Sequence, residues 1–309
     1  MRVSIGGRGA TSAVMAGLAA LFVSAIAPAA ETPVERGAYL VNSMGACGNC
    51  HTPRDAALNP IATQPLSGGF AFVDPGIGSV VIPNITPDKE TGIGNLTAVQ
   101  IVAELRNGKR PDGTLIGPPM PIPVYQKLSD GDAAAIAAYL LSLKPMRRTV
   151  GRNEYKIPLP PDYGPPVMHV DEPSRSDNVV YGSYLATFAH CVLCHTPPAK
   201  DGPIDMSRAF AGGRELPDFR KPGTVTVSRN ITSDPEDGIG KWSDAQIKRA
   251  IVDGIRPDGT RLAVTMPFAW YKRITPADLG AIVAFIRTIP PARYDWQRLA
   301  GEWRSIIRN

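Results

Sequence analysis

Cys47-Gly48-Asn49-Cys50-His51 and Cys191-Val192-Leu193-Cys194-His195 are two copies of one pentapeptide, Cys-Xaa-Xaa-Cys-His, and together they hold all 4 cysteines of the chain. Two thiols one helical turn apart can each add to a vinyl group of a haem while the adjacent imidazole reaches the iron. Each copy therefore reads as a covalent attachment site for haem c. Two other uses of paired cysteines fit less well. A dithiol redox site needs a surrounding βαβ pattern that the sequence does not show, and a zinc site would leave two half-sites each lacking a fourth ligand.

Working outward from the motifs, the chain repeats itself. Asn84-Ile85-Thr86-Pro87-Asp88 recurs as Asn230-Ile231-Thr232-Ser233-Asp234, and Thr91-Gly92-Ile93-Gly94 as Asp237-Gly238-Ile239-Gly240. Arg110-Pro111-Asp112-Gly113-Thr114 recurs as Arg256-Pro257-Asp258-Gly259-Thr260, and Met120-Pro121 as Met266-Pro267, all at an offset of 146. The pentapeptides are offset by 144, so two residues enter between motif and loop in the second copy. Each copy opens on a short helical pattern, with Gly37, Tyr39 and Leu40 in the first and Gly182, Tyr184 and Leu185 in the second. Each closes on a stronger one. Ser129-Asp130 leads into Ile136, Tyr139, Leu140 and Leu143, and Thr275-Pro276 into Leu279, Ile282, Val283, Phe285 and Ile286. Ser/Thr caps before apolar positions three and four apart signal amphipathic helices, and the glycines opposite Tyr139 and Phe285 are expected to let two helices cross closely. The stretches between are rich in Gly, Pro, Asn and Asp, as loops wrapped on a cofactor would be.

Arg2 and Arg8 precede an apolar run over residues 13–27 that ends in Pro28-Ala29-Ala30, the pattern of a secretory signal peptide over residues 1–30. The run falls short of the roughly 20 apolar residues of a spanning helix, and a periplasmic location is expected. The formal charge of +5 falls by two when that segment is removed. No Lys/Arg run with interleaved aromatics is present, which argues against nucleic acid as a partner.

The order helix, Cys-Xaa-Xaa-Cys-His, loop, Met-Pro, helix resembles class I cytochrome c over both halves of the chain. The longer strings, including Met120-Pro121 followed by Tyr125 and Leu128-Ser129-Asp130, resemble more narrowly the cytochrome c subunits of periplasmic alcohol, aldehyde and gluconate dehydrogenases. Those subunits usually carry three haems; two motifs here point to a two-haem relative serving a different dehydrogenase. The resemblance implies an all-α fold of two tandem class I cytochrome c domains, 31–145 and 177–292, with long haem-wrapping loops. A proline-rich linker, 146–176, joins them, and an amphipathic tail, 293–309, follows. The cofactors are two covalently bound haem c groups, attached through Cys47, Cys50, Cys191 and Cys194, with His51 and His195 as iron ligands.

The family's usual sixth ligand is a methionine thioether, and Met120 and Met266 occupy matched repeat positions. Met44, Met146, Met168, Met206, His169 and His190 have no counterpart in the other copy. They are read as packing or surface residues, with His169 the one that could lend a second imidazole. A ligating imidazole donates its other N–H to a nearby acceptor, which the family takes from the backbone at a proline following the motif. Pro53 and Pro197 are expected to provide it. The linker is read as extended and semi-rigid, running over the domains or simply tethering them. The tail places Trp296, Leu299, Trp303 and Ile306 at helical spacing, to pack on its own protein, dock a partner or lie peripherally on a membrane.

With histidine and methionine on both irons no position is open for a substrate. The chain is read as an electron-transfer protein rather than an enzyme, taking electrons from a periplasmic dehydrogenase and passing them to a downstream cytochrome or terminal oxidase. The alternative is a dihaem redox enzyme, peroxidase-like or thiosulfate-oxidising, with one catalytic haem.

Overall fold

The computed structural model describes residues 1–4, 6–7, 31–74, 76–199, 204–218 and 224–293. The apolar run 13–27 and the helical stripe of the tail lie outside them. Met1–Glu31 form one unit, whose described positions carry no helix or strand, and Thr32–Asn309 form a second. Among the described residues no helix is long and apolar enough to cross a membrane.

Within Thr32–Asn309 one order of elements runs twice. The first half has α1 (Pro33–Asn42), α2 (Cys47–His51), the strands β1 (Ala71–Asp74) and β2 (Gly78–Val81), α3 (Ala98–Asn107), α4 (Ile122–Tyr125) and α5 (Asp130–Ser142). After β3 (Glu154–Tyr155) come α6 (Asn178–Phe188), α7 (Cys191–His195), β4 (Glu215–Pro217), β5 (Val225–Val227), α8 (Asp244–Asp253), α9 (Phe268–Tyr271) and α10 (Pro276–Thr288). The fold is mostly helical. It also carries antiparallel β1-β2-β3 and β4-β5 ladders that the all-α expectation omits. Strands of two to four residues are too short for an alternating pattern to stand out between glycines and prolines.

Capping explains where the helices begin. In α1, Thr32 Oγ1 accepts from Glu35 N at 3.2 Å while Glu35 Oε2 accepts from Thr32 N at 2.8 Å, a reciprocal box with Pro33 at the first helical position. Thr97 with Gln100 opens α3 and Ser243 with Gln246 opens α8 in the same way, and both helices end on a left-handed glycine, Gly108 and Gly254. Ser129 and Thr275 cap α5 and α10 at the residues the sequence marks. The expected close crossings are present: a Cβ on Gly37 would fall on Ala135 O and one on Gly182 on Ala281 O, beside Tyr139 and Phe285.

The halves share one core. Leu40, Val41 and Met44 from the first and Leu185, Ala186 and Phe188 from the second belong to the same buried cluster, together with Ile136 and Ile282. Matched tyrosines cross between them. Tyr39 Oη donates to Asp278 Oδ2 at 2.6 Å, and Tyr184 Oη donates to Asp132 Oδ2 at 2.7 Å. The match is incomplete, because Asp132 also takes a two-pronged contact from Arg36, at 2.7 and 2.9 Å, whereas Tyr181 stands where a second arginine would be. Burial alone would lower the Arg36 pKa, but the facing Asp132 carboxylate overrides it and the guanidinium is held above its ordinary value.

Residues 146–176 lie on the first half. Tyr155 pairs with Gly78, Tyr163 Oη donates to Ile116 O at 2.7 Å, and Val167 N donates to Asn107 Oδ1 at 2.8 Å. His169 pins the far end, with Nδ1 2.6 Å from Asp130 Oδ2 and Nε2 2.9 Å from Asp171 Oδ1.

Arg36→Ala leaves Asp132 buried without its cation, and loss of one partner from such a pair costs roughly 3–5 kcal/mol. Guanidinium unfolding of the purified protein checks this, and a loss under about 1 kcal/mol would contradict the buried-pair account. His169 gives a pH signature. Its hydrogen bonds to Asp130 and then Asp171 raise its pKa, while the His169 bond, followed by that from Arg106, holds Asp130 down at about 2. A raised histidine stabilises the fold fully below its unfolded pKa of about 6.5 and loses that contribution as pH rises through the folded value. The protection factor of the Val170 amide, whose N–H donates to Asp130 Oδ1, is expected to fall across that upper window, and a constant protection factor would refute the pinning.

Candidate haem sites

Each pentapeptide forms a five-residue helix entered through a left-handed residue, Ala46 (φ 44°) before α2 and His190 (φ 61°) before α7. The helix puts both thiols and the imidazole of each motif on the wall of one cavity of about 2200 Å³, which spans the two halves. A site for one small ligand holds roughly 300–1,000 Å³, so the space suits two large groups. Burial, and then the neighbouring Cys50 and Cys194, push the free thiols of Cys47 and Cys191 up to about 12.

His51 Nδ1 lies 2.9 Å from Pro83 O, and His195 Nδ1 lies 2.7 Å from Arg229 O. A carbonyl can only accept, so Nδ1 carries the hydrogen and Nε2 keeps its lone pair for a metal. Burial lowers the pKa of both rings, with the carbonyl bonds opposing it, so both are held neutral. These acceptors correct the expectation of Pro53 and Pro197, whose carbonyls instead receive Ile61 N and Asp205 N at 2.8 Å. A proline two residues after the ring is spent on closing the local turn; the acceptor comes from 32 or 34 residues away.

Glycines missed in the sequence make that approach possible. Gly68 N donates to His51 O and Gly212 N to His195 O, both at 2.7 Å, at φ +74° and +78°. A Cβ would meet Pro83 C at 2.5 Å in one half and Arg229 C at 2.5 Å in the other. Their signal is present: Gly68-Gly69 and Gly212-Gly213 keep the motif offset of 144, which also places the two-residue insertion later, in the stretch carrying the β4–β5 hairpin. The Asn-Ile-Thr strings then hold the carbonyls in place. Asn84 Oδ1 accepts from Thr86 N and Asn230 Oδ1 from Thr232 N, both at 2.9 Å, while their Nδ2 atoms donate to Met146 O and Ala292 O.

Met120 and Met266 are the methionines among the described residues that line the cavity. Each opens an inverse γ-turn: Ile122 N donates to Met120 O across Pro121 (φ −85°, ψ 60°), and Phe268 N to Met266 O across Pro267 (φ −81°, ψ 57°). Met44 is fully buried elsewhere, and Met168 and Met206 are exposed. His169 is outside the cavity wall, whereas His190 is on it. Tyr125, Tyr271 and Trp270 were not singled out as site residues; the tyrosines line the cavity and Trp270 packs on Gly48 of α2.

The residues suit haem c. The wall is largely apolar, with Arg110, Arg214 and Arg256 on it as cations for the acid groups that a haem carries. Thr265 Oγ1, one residue before Met266, is buried and has no protein partner, as expected of a polar group that faces a bound cofactor.

No family model matches the chain. It is 30% identical over 260 residues to a dihaem c-type cytochrome of Cereibacter sphaeroides, covering 80% of this chain and 82% of that one. The chain belongs to the cytochrome c family. This cytochrome is also 31% identical to the cytochrome subunit of fructose dehydrogenase from Gluconobacter japonicus, over 89% of its own length and 56% of the relative's. The cytochrome c subunit of a quinone-dependent alcohol dehydrogenase from Komagataeibacter europaeus is 30% identical, over 85% and 58%. The chain thus spans a little over half the length of these dehydrogenase subunits.

Gly68→Ala is expected to cost more than Gly113→Ala. Both have φ above +70°, but a Cβ on Gly113 meets nothing within 4 Å. Left-handed strain of about 1–2 kcal/mol is common to both, and displacement of the Pro83 carbonyl is the excess. Denaturation midpoints, with faster exchange of the His51 Nδ1 proton in Gly68→Ala alone, check it; equal effects would refute the close-approach argument.

Proposed function

We propose that the protein is a periplasmic dihaem cytochrome c, built as two tandem class I domains, that carries electrons from a dehydrogenase to a downstream cytochrome or terminal oxidase. The supporting observation is that both attachment motifs and both repeat-matched methionines face one cavity. Cys47 and Cys50 would hold one haem and Cys191 and Cys194 the other, with His51 and Met120, and His195 and Met266, as the iron ligands. Bound haem supplies a one-electron ferrous–ferric couple.

The chain's own residues then define what that couple can do. Two half-buried methionines, each opening a γ-turn, would leave no ligand position for substrate and favour the reduced iron. The carbonyls of Pro83 and Arg229 orient the imidazoles and raise their basicity. His169, whose recruitment would favour the enzymatic alternative, is on the surface between Asp130 and Asp171. A dehydrogenase as donor is supported by the names of the fructose and alcohol dehydrogenase relatives. Export is supported by the composition of residues 1–30.

Optical and EPR spectra of the oxidised protein are expected to show two haems per chain, both low-spin, with the near-infrared methionine-to-iron band. Met120→Ala and Met266→Ala are each expected to remove part of that band and lower one of two midpoint potentials. A high-spin or bis-histidine haem in the unmutated protein would overturn this reading in favour of haem enzymology.

A further inference from the structure

His190 stands immediately before Cys191, where the first half has Ala46. Both keep a left-handed backbone, so the turn needs no imidazole and the ring is an addition at this position. Nor is the ring a surface feature. It lies on the cavity wall, edge-on to Tyr125 at 5.3 Å and to Phe188 at 6.4 Å between centroids, with Nε2 3.0 Å from Tyr125 Oη.

Tyr125 belongs to the other half. It ends α4, the turn that follows Met120, and its N donates to Pro121 O at 3.3 Å. Its phenol is close enough to Cys47 and Cys50 for their charge to act on it, after burial, in holding its pKa well above the ordinary value. Burial likewise holds the His190 pKa down at about 4. A neutral phenol therefore meets a neutral imidazole, and the two share a hydrogen bond. The repeat counterpart, Tyr271, donates to Ala189 O at 2.6 Å, so tyrosines from both halves converge on residues 189–190.

We propose that the Tyr125–His190 hydrogen bond is the electronic bridge between the two haem sites. The inference rests on the two-haem carrier reading above. Covalent bonds link Cys191 to the His190 ring, one hydrogen bond crosses to Tyr125, and α4 continues to the Met120 turn. Tunnelling decays more slowly along such a connection than across a van der Waals gap. One electron leaves the reduced site and one arrives at the oxidised site; the phenol keeps its proton, and neither side chain is oxidised.

The test uses the full haem-loaded protein, half-reduced, with intramolecular electron exchange read from haem methyl NMR signals and each midpoint potential titrated in parallel. Tyr125→Phe removes only the hydroxyl, and His190→Ala restores the residue of the first half. Both are expected to slow exchange severalfold while the potentials and low-spin spectra of both haems stay as in the unmutated protein. Unchanged exchange in both variants overturns the bridge and leaves the carrier reading standing. Slower exchange together with shifted potentials in both variants marks a packing role and also overturns it. Absence of intramolecular exchange in the unmutated protein overturns the two-haem relay itself, and the bridge with it.

Discussion

The hydrogen bond from each motif imidazole to a distant main-chain carbonyl constrains much of the surrounding structure. A carbonyl inside a helix or ladder is already taken by its own N–H partner, so the acceptor has to come from irregular backbone. Irregular backbone holds a position to a fraction of an ångström only if its own polar groups are fixed. That requirement accounts for the Asn-Ile-Thr turns, for the anchoring of Asn84 to Met146 O and Asn230 to Ala292 O, and for glycine at positions 68 and 212. It also accounts for left-handed, non-glycine residues at matched places, Leu66 (φ 61°) and Phe210 (φ 66°), whose N–H groups are held by Thr52 and Thr196. Strained backbone persists where the surroundings over-determine it.

The joint between the halves follows a second constraint. Each first helix crosses its own last helix at a glycine, which leaves the tyrosine face of that helix turned toward the other half. Tyr39 and Tyr184 fill it with their rings and place each hydroxyl on the opposite half's helix-capping region, at Asp278 and Asp132. A buried cation at this joint, Arg36, breaks the equivalence. Replacing it by Tyr181 in the second half spares that side the desolvation of a charge, at the cost of leaving Asp278 with a hydroxyl donor in place of a guanidinium.

Much of this was legible in the sequence because its signals are local or repeated. The cysteine motifs, the caps at Ser129 and Thr275, and the glycines facing Tyr139 and Phe285 are read within a few residues of where they act. The capping boxes Thr97-Gln100 and Ser243-Gln246 were equally readable but pass unnoticed amid turn-forming residues. What was not legible depends on distance along the chain. Nothing near His51 says that its acceptor is residue 83, and a proline next to the motif is the more obvious candidate. The crossing of Tyr125 to His190 spans 65 residues and two repeat units. The course of residues 146–176 was open for the same reason, since proline content sets stiffness and not the surface against which the segment packs.

A chain that repeats one Cys-Xaa-Xaa-Cys-His plan would be expected to make two equal sites, and the differences described here lie in what surrounds the motifs. Pro119 faces Thr265 and Arg36 faces Tyr181 across the repeat. The segment after α5 lays Tyr155, Ile157 and Tyr163 on the cavity wall of the first half. Potentials of haem iron respond to burial and to hydrogen bonds around the ligands as much as to the ligands themselves. For a two-haem carrier, equal ligands in unequal surroundings are therefore sufficient to separate the two potentials. The repeat conserves the chemistry of attachment, and the unmatched residues are where direction can be built in.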